Sequence, residues 1–179
     1  MTIERRALPL EIRAARGNPR RLEGYAATFG VETRVADFVE TIRAGAFAGS
    51  IASGRDILAL ADHDPGRVLG RTKSGTLRLV EDARGLAFSL DLPDTQAARD
   101  VLALAERGDI GGMSFGFTAD PGGDAWTGNR RELRAVTLYE ISVVSAWPAY
   151  DGTSVEPRAR QRGPATRSLA RRYLEILRR

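Results

Sequence analysis

Short runs of β-type residues, each closed by glycine, proline or asparagine, follow one another along most of the chain. Residues 8–14, 21–29 and 36–42 carry alternation or β-branched and aromatic side chains, and 56–62, 76–80 and 85–90 read the same way. After residue 108 the pattern returns over 111–119 and 131–144, with the glycine-rich stretch 120–129 as the loop between them. Only two internal segments read as helix. Residues 44–52 place Phe47 and Ile51 four apart. Residues 94–107 have Asp94 or Thr95 as cap, an apolar stripe of Ala98, Val101, Leu102 and Ala105, and Gly108 as terminator. Many short strands with few helices predict an α+β fold: a mostly antiparallel, β-barrel-like core flanked by helices. Proline, glycine and arginine dominate 151–164, which reads as a linker. Residues 166–179 place Leu169, Tyr173, Ile176 and Leu177 on one side of an amphipathic C-terminal helix. The expected division is a body over 1–155 and an Arg-rich tail over 156–179.

Charge and composition narrow the chemistry. The net charge is +4 and 26 of the 27 basic residues are arginine, Lys73 being the exception. The tail holds eight Arg against two Glu, leaving 19 basic and 21 acidic groups in the body. The basicity therefore belongs to the tail, and a mildly acidic body with 7% aromatic residues argues against a nucleic-acid-binding module. There is no cysteine, which excludes disulfides, thiol catalysis and cysteine-ligated metals. The single histidine, His63, excludes sites that need two. The first residues lack the apolar stretch of a signal peptide, and no run approaches a membrane span.

Three segments could carry chemistry. His63 follows an apolar run and precedes Asp64-Pro65-Gly66, so a strand would deliver it half exposed at the mouth of a turn. It is either a proton-transfer group or a plain surface histidine. In Gly112-Met-Ser-Phe-Gly-Phe-Thr118, alternation sends Met113, Phe115 and Phe117 to one face and Gly112, Ser114, Gly116 and Thr118 to the other. Ser114 between two glycines is either a nucleophile with its surroundings cleared for a peptide carbonyl or part of a strand packed under another backbone. Glu140 interrupts an apolar or small-residue run over 136–150, so it must be solvated or paired. An arginine is one partner for it; a histidine would make it the orienting member of a triad. The chain has no phosphate loop at 70–76 and no calcium-type spacing among Asp62, Asp64 and Glu140. Gly112-Met-Ser-Phe-Gly116 has Gly-x-Ser-x-Gly spacing, but its alternation reads as a continuous strand that presents Ser114, not as the strand-to-helix elbow of an α/β-hydrolase.

Five pieces in order, Leu22-Glu-Gly-Tyr-Ala-Ala-Thr-Phe29, Val39-Glu-Thr-Ile-Arg-Ala-Gly-Ala-Phe47, Asp62-His-Asp64 with Val68-Leu-Gly-Arg71, Gly112-Met-Ser-Phe-Gly-Phe117 and Tyr139-Glu-Ile-Ser-Val-Val144, resemble the prohead (capsid maturation) serine proteases of tailed phages and phage-derived particles. That family is distantly similar to the herpesvirus assembly proteases, whose serine and histidine lie on strands of a helix-flanked barrel. The resemblance implies Ser114 as nucleophile and His63 as base. The herpesvirus enzymes have a second histidine where this chain holds Glu140, and a carboxylate there can orient the imidazole. They also use arginines after that strand to support the oxyanion. Residues 146–150 contain none, so no oxyanion residue is assigned.

The implied activity is a serine endopeptidase that needs no cofactor. Its expected partners are the scaffold segment of the major capsid protein, its own chain, and other copies in a homo-oligomer, with no membrane. Its expected location is the bacterial cytoplasm, inside the assembling procapsid of a phage, a prophage or a gene transfer agent. The competing readings are a catalytically inactive scaffold protein and a nucleic-acid-binding module using the arginine tail. The tail's charge and apolar side suit docking onto an acidic partner.

Overall fold

The computed structural model describes residues 2–9, 12–14 and 20–145. In chain order the elements are β1 (Glu4–Leu8), β2 (Ile12–Ala14), β3 (Arg21–Thr28), β4 (Thr33–Val35), β5 (Phe38–Ile42), α1 (Ala48–Ala52), β6 (Leu58–Ala61) and β7 (Asp64–Arg71). They continue with β8 (Leu77–Glu81), β9 (Gly85–Asp91), α2 (Gln96–Arg107), β10 (Gly112–Ala119), β11 (Asp124–Thr127), β12 (Arg130–Leu133) and β13 (Val136–Val144). The α+β class matches the expectation. The expected C-terminal helix over 166–179, the linker over 151–164 and the boundary at residue 155 lie outside the described residues.

The strands form three sheets, ordered β1-β10-β13-β6-β7, β11-β12-β5-β4 and β2-β3-β9-β8. Most contacts are antiparallel; β5–β12 and β6–β13 are parallel. The barrel-like core anticipated from the sequence does not form among the described residues. Closure requires the outermost strands of a sheet to pair, and among the described residues none of the three sheets does so: β1 and β7, for instance, remain opposite edges.

Several runs divide differently from the sequence pattern. The single strand expected over 8–14 is two, β1 ending at Leu8 just before Pro9, which has no N–H to donate to a ladder. The run over 131–144 is also two strands, split at Arg134 and Ala135, and the glycine-rich loop contains β11, the other arm of a hairpin with β12. β4 and β7 are additional. Helix α2 forms as its local signals dictate. Thr95 Oγ1 accepts from Ala98 N at 3.4 Å, Gly108 closes the helix at φ 77°, and Ala98, Val101 and Ala105 are buried.

The apolar core lies on one face of the five-stranded sheet. Leu8, Met113, Val143 and Ala61 stand in one row across it, with Phe115, Ile141 and Ala59 in the next. Phe47 packs edge-on against Phe115 with ring centroids 5.4 Å apart, and Phe115 lies 5.2 Å from Phe117. Such ring pairs contribute about 0.5–1.5 kcal/mol each beyond simple burial.

The hairpin between β4 and β5 turns through Ala36 and Asp37, with Val35 opposite Phe38. Ala36 has φ 52° at the turn position where glycine is favoured. Relief of its Cβ clash, partly offset by glycine's greater chain entropy, should make Ala36→Gly more stable by about 0.5–1 kcal/mol. Urea titration measures this directly; an unchanged or lower midpoint would mean that the turn carries no such strain.

Candidate active site

His63 is held by a turn rather than by a strand end. Ala61 pairs with Asp64 across β6 and β7, leaving Asp62 and His63 as a two-residue connection. Both have positive φ, 51° and 60°, the signature of a type I′ hairpin. Asp and His are among the few side chains that enter this region with some frequency. The turn expected at Asp64-Pro65-Gly66 is therefore one step earlier, and those residues open β7 in an irregular stretch of its ladder with β6.

The turn is pinned to the end of β13. Asp62 N donates to Val143 O at 2.9 Å, and the Asp62 carboxylate accepts from Ser145 N at 2.8 Å and from Arg67 Nη1 at 2.9 Å. Asp64 accepts from Gly66 N at 2.8 Å. Neither carboxylate is bonded to the imidazole. Glu140 is: its Oε1 lies 2.7 Å from His63 Nδ1. A carboxylate accepts, so this contact places the proton on Nδ1 and leaves Nε2 of a neutral ring as the basic nitrogen.

A bulge sets the direction of Glu140. In β13, Val136 and Leu138 face the core, and strict alternation would send Glu140 the same way. Instead Phe117 pairs with Leu138 while the preceding Gly116 pairs with Glu140, so Tyr139 is the extra residue. Beyond it Ile141 and Val143 take over the core face, and Glu140 and Ser142 share the other face with Ser114, which pairs with Ser142. A Cβ on Gly116 would lie 2.6 Å from Glu140 Oε1 and 3.0 Å from its Cγ. The glycine thus admits the glutamate. Gly112 likewise admits the backbone of β1, since a Cβ there would lie 2.2 Å from Leu8 O. The two glycines flanking Ser114 are filled by the protein itself, which corrects the expectation of a face cleared for a peptide carbonyl.

Ser114 is fully buried, and its Oγ is the only buried side-chain nitrogen or oxygen among the described residues without a hydrogen-bond partner. The site therefore brings His63 and Glu140 into contact and sets Ser114 on the same sheet face as Glu140, without a Ser114–His63 hydrogen bond. The hollows lined by Leu8, Thr33 and Phe115 and by Ile51, Thr72 and Leu79 lie elsewhere, with none of the three residues among their walls.

Two neighbours were missed at the sequence level. Ser142 Oγ donates to Glu140 Oε2 at 2.5 Å, and Arg5 Nε lies 3.6 Å from Glu140 Oε1. The spacing of Glu140 and Ser142 was a usable signal, because residues two apart on a strand share a face. Arg5 had none, since it arrives from β1 through its pairing with Gly116. Among the described residues no group of acidic and histidine side chains is arranged to hold a metal, and no helix is long and apolar enough to cross a membrane.

No curated protein and no solved structure matches the chain. The profile of the caudovirus prohead serine protease family matches residues 8–167, a span that contains His63, Ser114 and Glu140. With that match over most of its length, the chain belongs to the caudovirus prohead serine protease family.

Proposed function

We propose that this protein is a serine endopeptidase that matures a phage-like procapsid from the inside, with Ser114 as nucleophile, His63 as general base and acid, and Glu140 as the group that orients the imidazole. The observation that carries the reading is the 2.7 Å contact between His63 Nδ1 and Glu140 on the sheet face that also bears the unpartnered hydroxyl of Ser114. A buried hydroxyl without a partner costs about 1–3 kcal/mol, and such exceptions in a folded chain point to function.

In the reaction, Ser114 Oγ attacks the scissile carbonyl carbon as its proton passes to His63 Nε2. The imidazolium, stabilised by Glu140, then gives that proton to the departing amine. Water repeats the sequence on the acyl-enzyme and frees Ser114. Substrate binding has to uncover Ser114 and close its gap to the imidazole, as is common for hydrogen bonds that tighten only in the complex. The substrates are the scaffold segment of the major capsid protein and the chain itself. The arginine-rich tail acts in recruitment rather than in the chemistry.

Co-expression with the capsid protein of the same particle, followed by mass measurement of the capsid subunit, tests this function. Loss of a terminal segment is the expected result; an intact subunit beside a folded protease would overturn it. Glu140→Gln should keep the fold and slow cleavage by roughly 10²–10⁴-fold, less than loss of Ser114 or His63, because an amide fills the space without stabilising imidazolium. Full activity in Glu140→Gln would remove Glu140 from the unit.

A further inference from the structure

Ser142 takes no part in the chemistry above, yet it is fully buried and its hydroxyl hydrogen is committed to Glu140. A glutamate carboxyl rotates easily about its last bond, where the torsional preference is broad and two-fold. One hydrogen bond through Oε1 to His63 leaves that rotation free; a second through Oε2 stops it. Ser142 supplies the second at 2.5 Å, while the backbone of Gly116 forms the floor beneath the carboxylate. The third neighbour, Arg5, approaches Oε1 only to 3.6 Å, and its side chain is 44% exposed.

The direction of the Ser142 hydroxyl also matters. Ser142 stands directly opposite Ser114 in the ladder, yet no hydrogen bond joins the two hydroxyls. A serine has one hydrogen to donate. Giving it to Glu140 leaves the lone pairs of Ser114 unengaged, whereas a bond to Ser114 Oγ would blunt it as a nucleophile.

From this we infer that Ser142 is a positioning residue: its Oγ–H holds Glu140 Oε2 so that Oε1 stays on His63 Nδ1 and the imidazole keeps its tautomer. The inference rests on the protease reading for its kinetic consequence, but the side-chain link itself is independent of activity. Residues that act through an orienting partner change the rate of the chemical step more than substrate binding, because small misplacements near the reacting atoms are costly.

Because His63 is the only histidine, ¹⁵N-histidine labelling of the full chain gives one imidazole to follow. The wild type should show a protected, downfield Nδ1–H proton. Ser142→Ala should broaden or lose that signal with the fold intact, and Ser142→Thr, which keeps the hydroxyl, should retain it. With the capsid protein as substrate, Ser142→Ala should lower kcat on the order of tenfold with KM unchanged. The same change made in a Glu140→Ala background should cost less than about twofold, since Ser142 then has nothing to act on. An unaltered imidazole signal in folded Ser142→Ala would overturn the proposal. So would an equal loss of kcat with and without Glu140. If Ser142→Thr does not fold, the alanine variant and the cycle still decide. A wild-type chain that cleaves nothing would count against the protease reading, while the imidazole signal would still decide the link from Ser142 through Glu140 to His63.

Discussion

Ser114→Ala is expected to abolish cleavage of the capsid protein and to leave the protein as stable as before, or more stable by about 1 kcal/mol. The two halves have one cause. The Ser114 hydroxyl is buried with no partner, so the folded state gains nothing from it and bears the loss of its hydration. Alanine removes that penalty and retains the packing of Cβ in the strand. If the hydroxyl is the nucleophile, its loss should lower the rate by roughly 10⁴–10⁶-fold, as for other serine hydrolases with a proton-transfer unit. His63→Ala should be nearly as damaging, and the double variant hardly worse than either single one, because members of one unit do not lose activity additively. Capsid processing and a thermal melt on the same preparation check both halves. Retained cleavage would remove Ser114 as nucleophile, and a fall in stability of more than about 1 kcal/mol would mean that its hydroxyl has a partner after all.

Arg131→Met should have the largest effect on stability, about 3 kcal/mol. It removes one of the two guanidiniums that hold buried Glu40 and part-buried Glu4, leaves Arg6 alone with both, and takes the arginine partner from Asp124. Arg131 is 6% exposed and comes from β12. It grips Glu4 of β1 through two nitrogens at 2.6 and 3.0 Å, Glu40 of β5 at 3.1 Å and Asp124 of β11 at 2.8 Å. Burial works against its charge, but hydrogen bonding and attraction from Glu4, then from Glu40 and Asp124, prevail and hold the guanidinium firmly protonated. The cluster ties the β11-β12-β5-β4 sheet to the edge of the sheet that bears Ser114.

Burial also works against the charge of Glu4, and Arg131 with Arg6 outweighs it, holding its carboxyl below the ordinary value of 4.5. Its stabilising contribution is therefore full above pH 4.5 and is lost as the pH falls through the lower folded value, since the unfolded chain takes up the proton first. Urea titrations at neutral and acid pH should show this acid loss in the wild type and less of it in Arg131→Met. A cost below about 1 kcal/mol would mean that solvent already screens the cluster.

Features whose causes are local or lie in residue identity can be read along the chain. Thr95, the apolar stripe of α2 and Gly108 act within one helix, so cap, face and end were all legible. Alternation along β10 placed Ser114 opposite the Phe115 and Phe117 side chains, and the absence of cysteine and of a second histidine restricted the chemistry to what Ser114, His63 and Glu140 can offer. Their resemblance to the prohead proteases was legible in the same residues and agrees with the family match.

Tertiary structure decided whatever depends on which strand lies beside which. Tyr139 is a bulge only in relation to β10, and without that pairing nothing along β13 says that Glu140 leaves the face of Val136 and Leu138. The Asp62-His63 turn, the second donor at Ser142, the filling of the spaces over Gly112 and Gly116, and the burial of Ser114 all follow from contacts between segments distant in sequence. That the sheets stay open among the described residues has the same origin. Strand patterns report which side chains turn inward, whereas closure depends on whether edges such as β1 and β7 meet, a matter of register and twist that alternation does not encode.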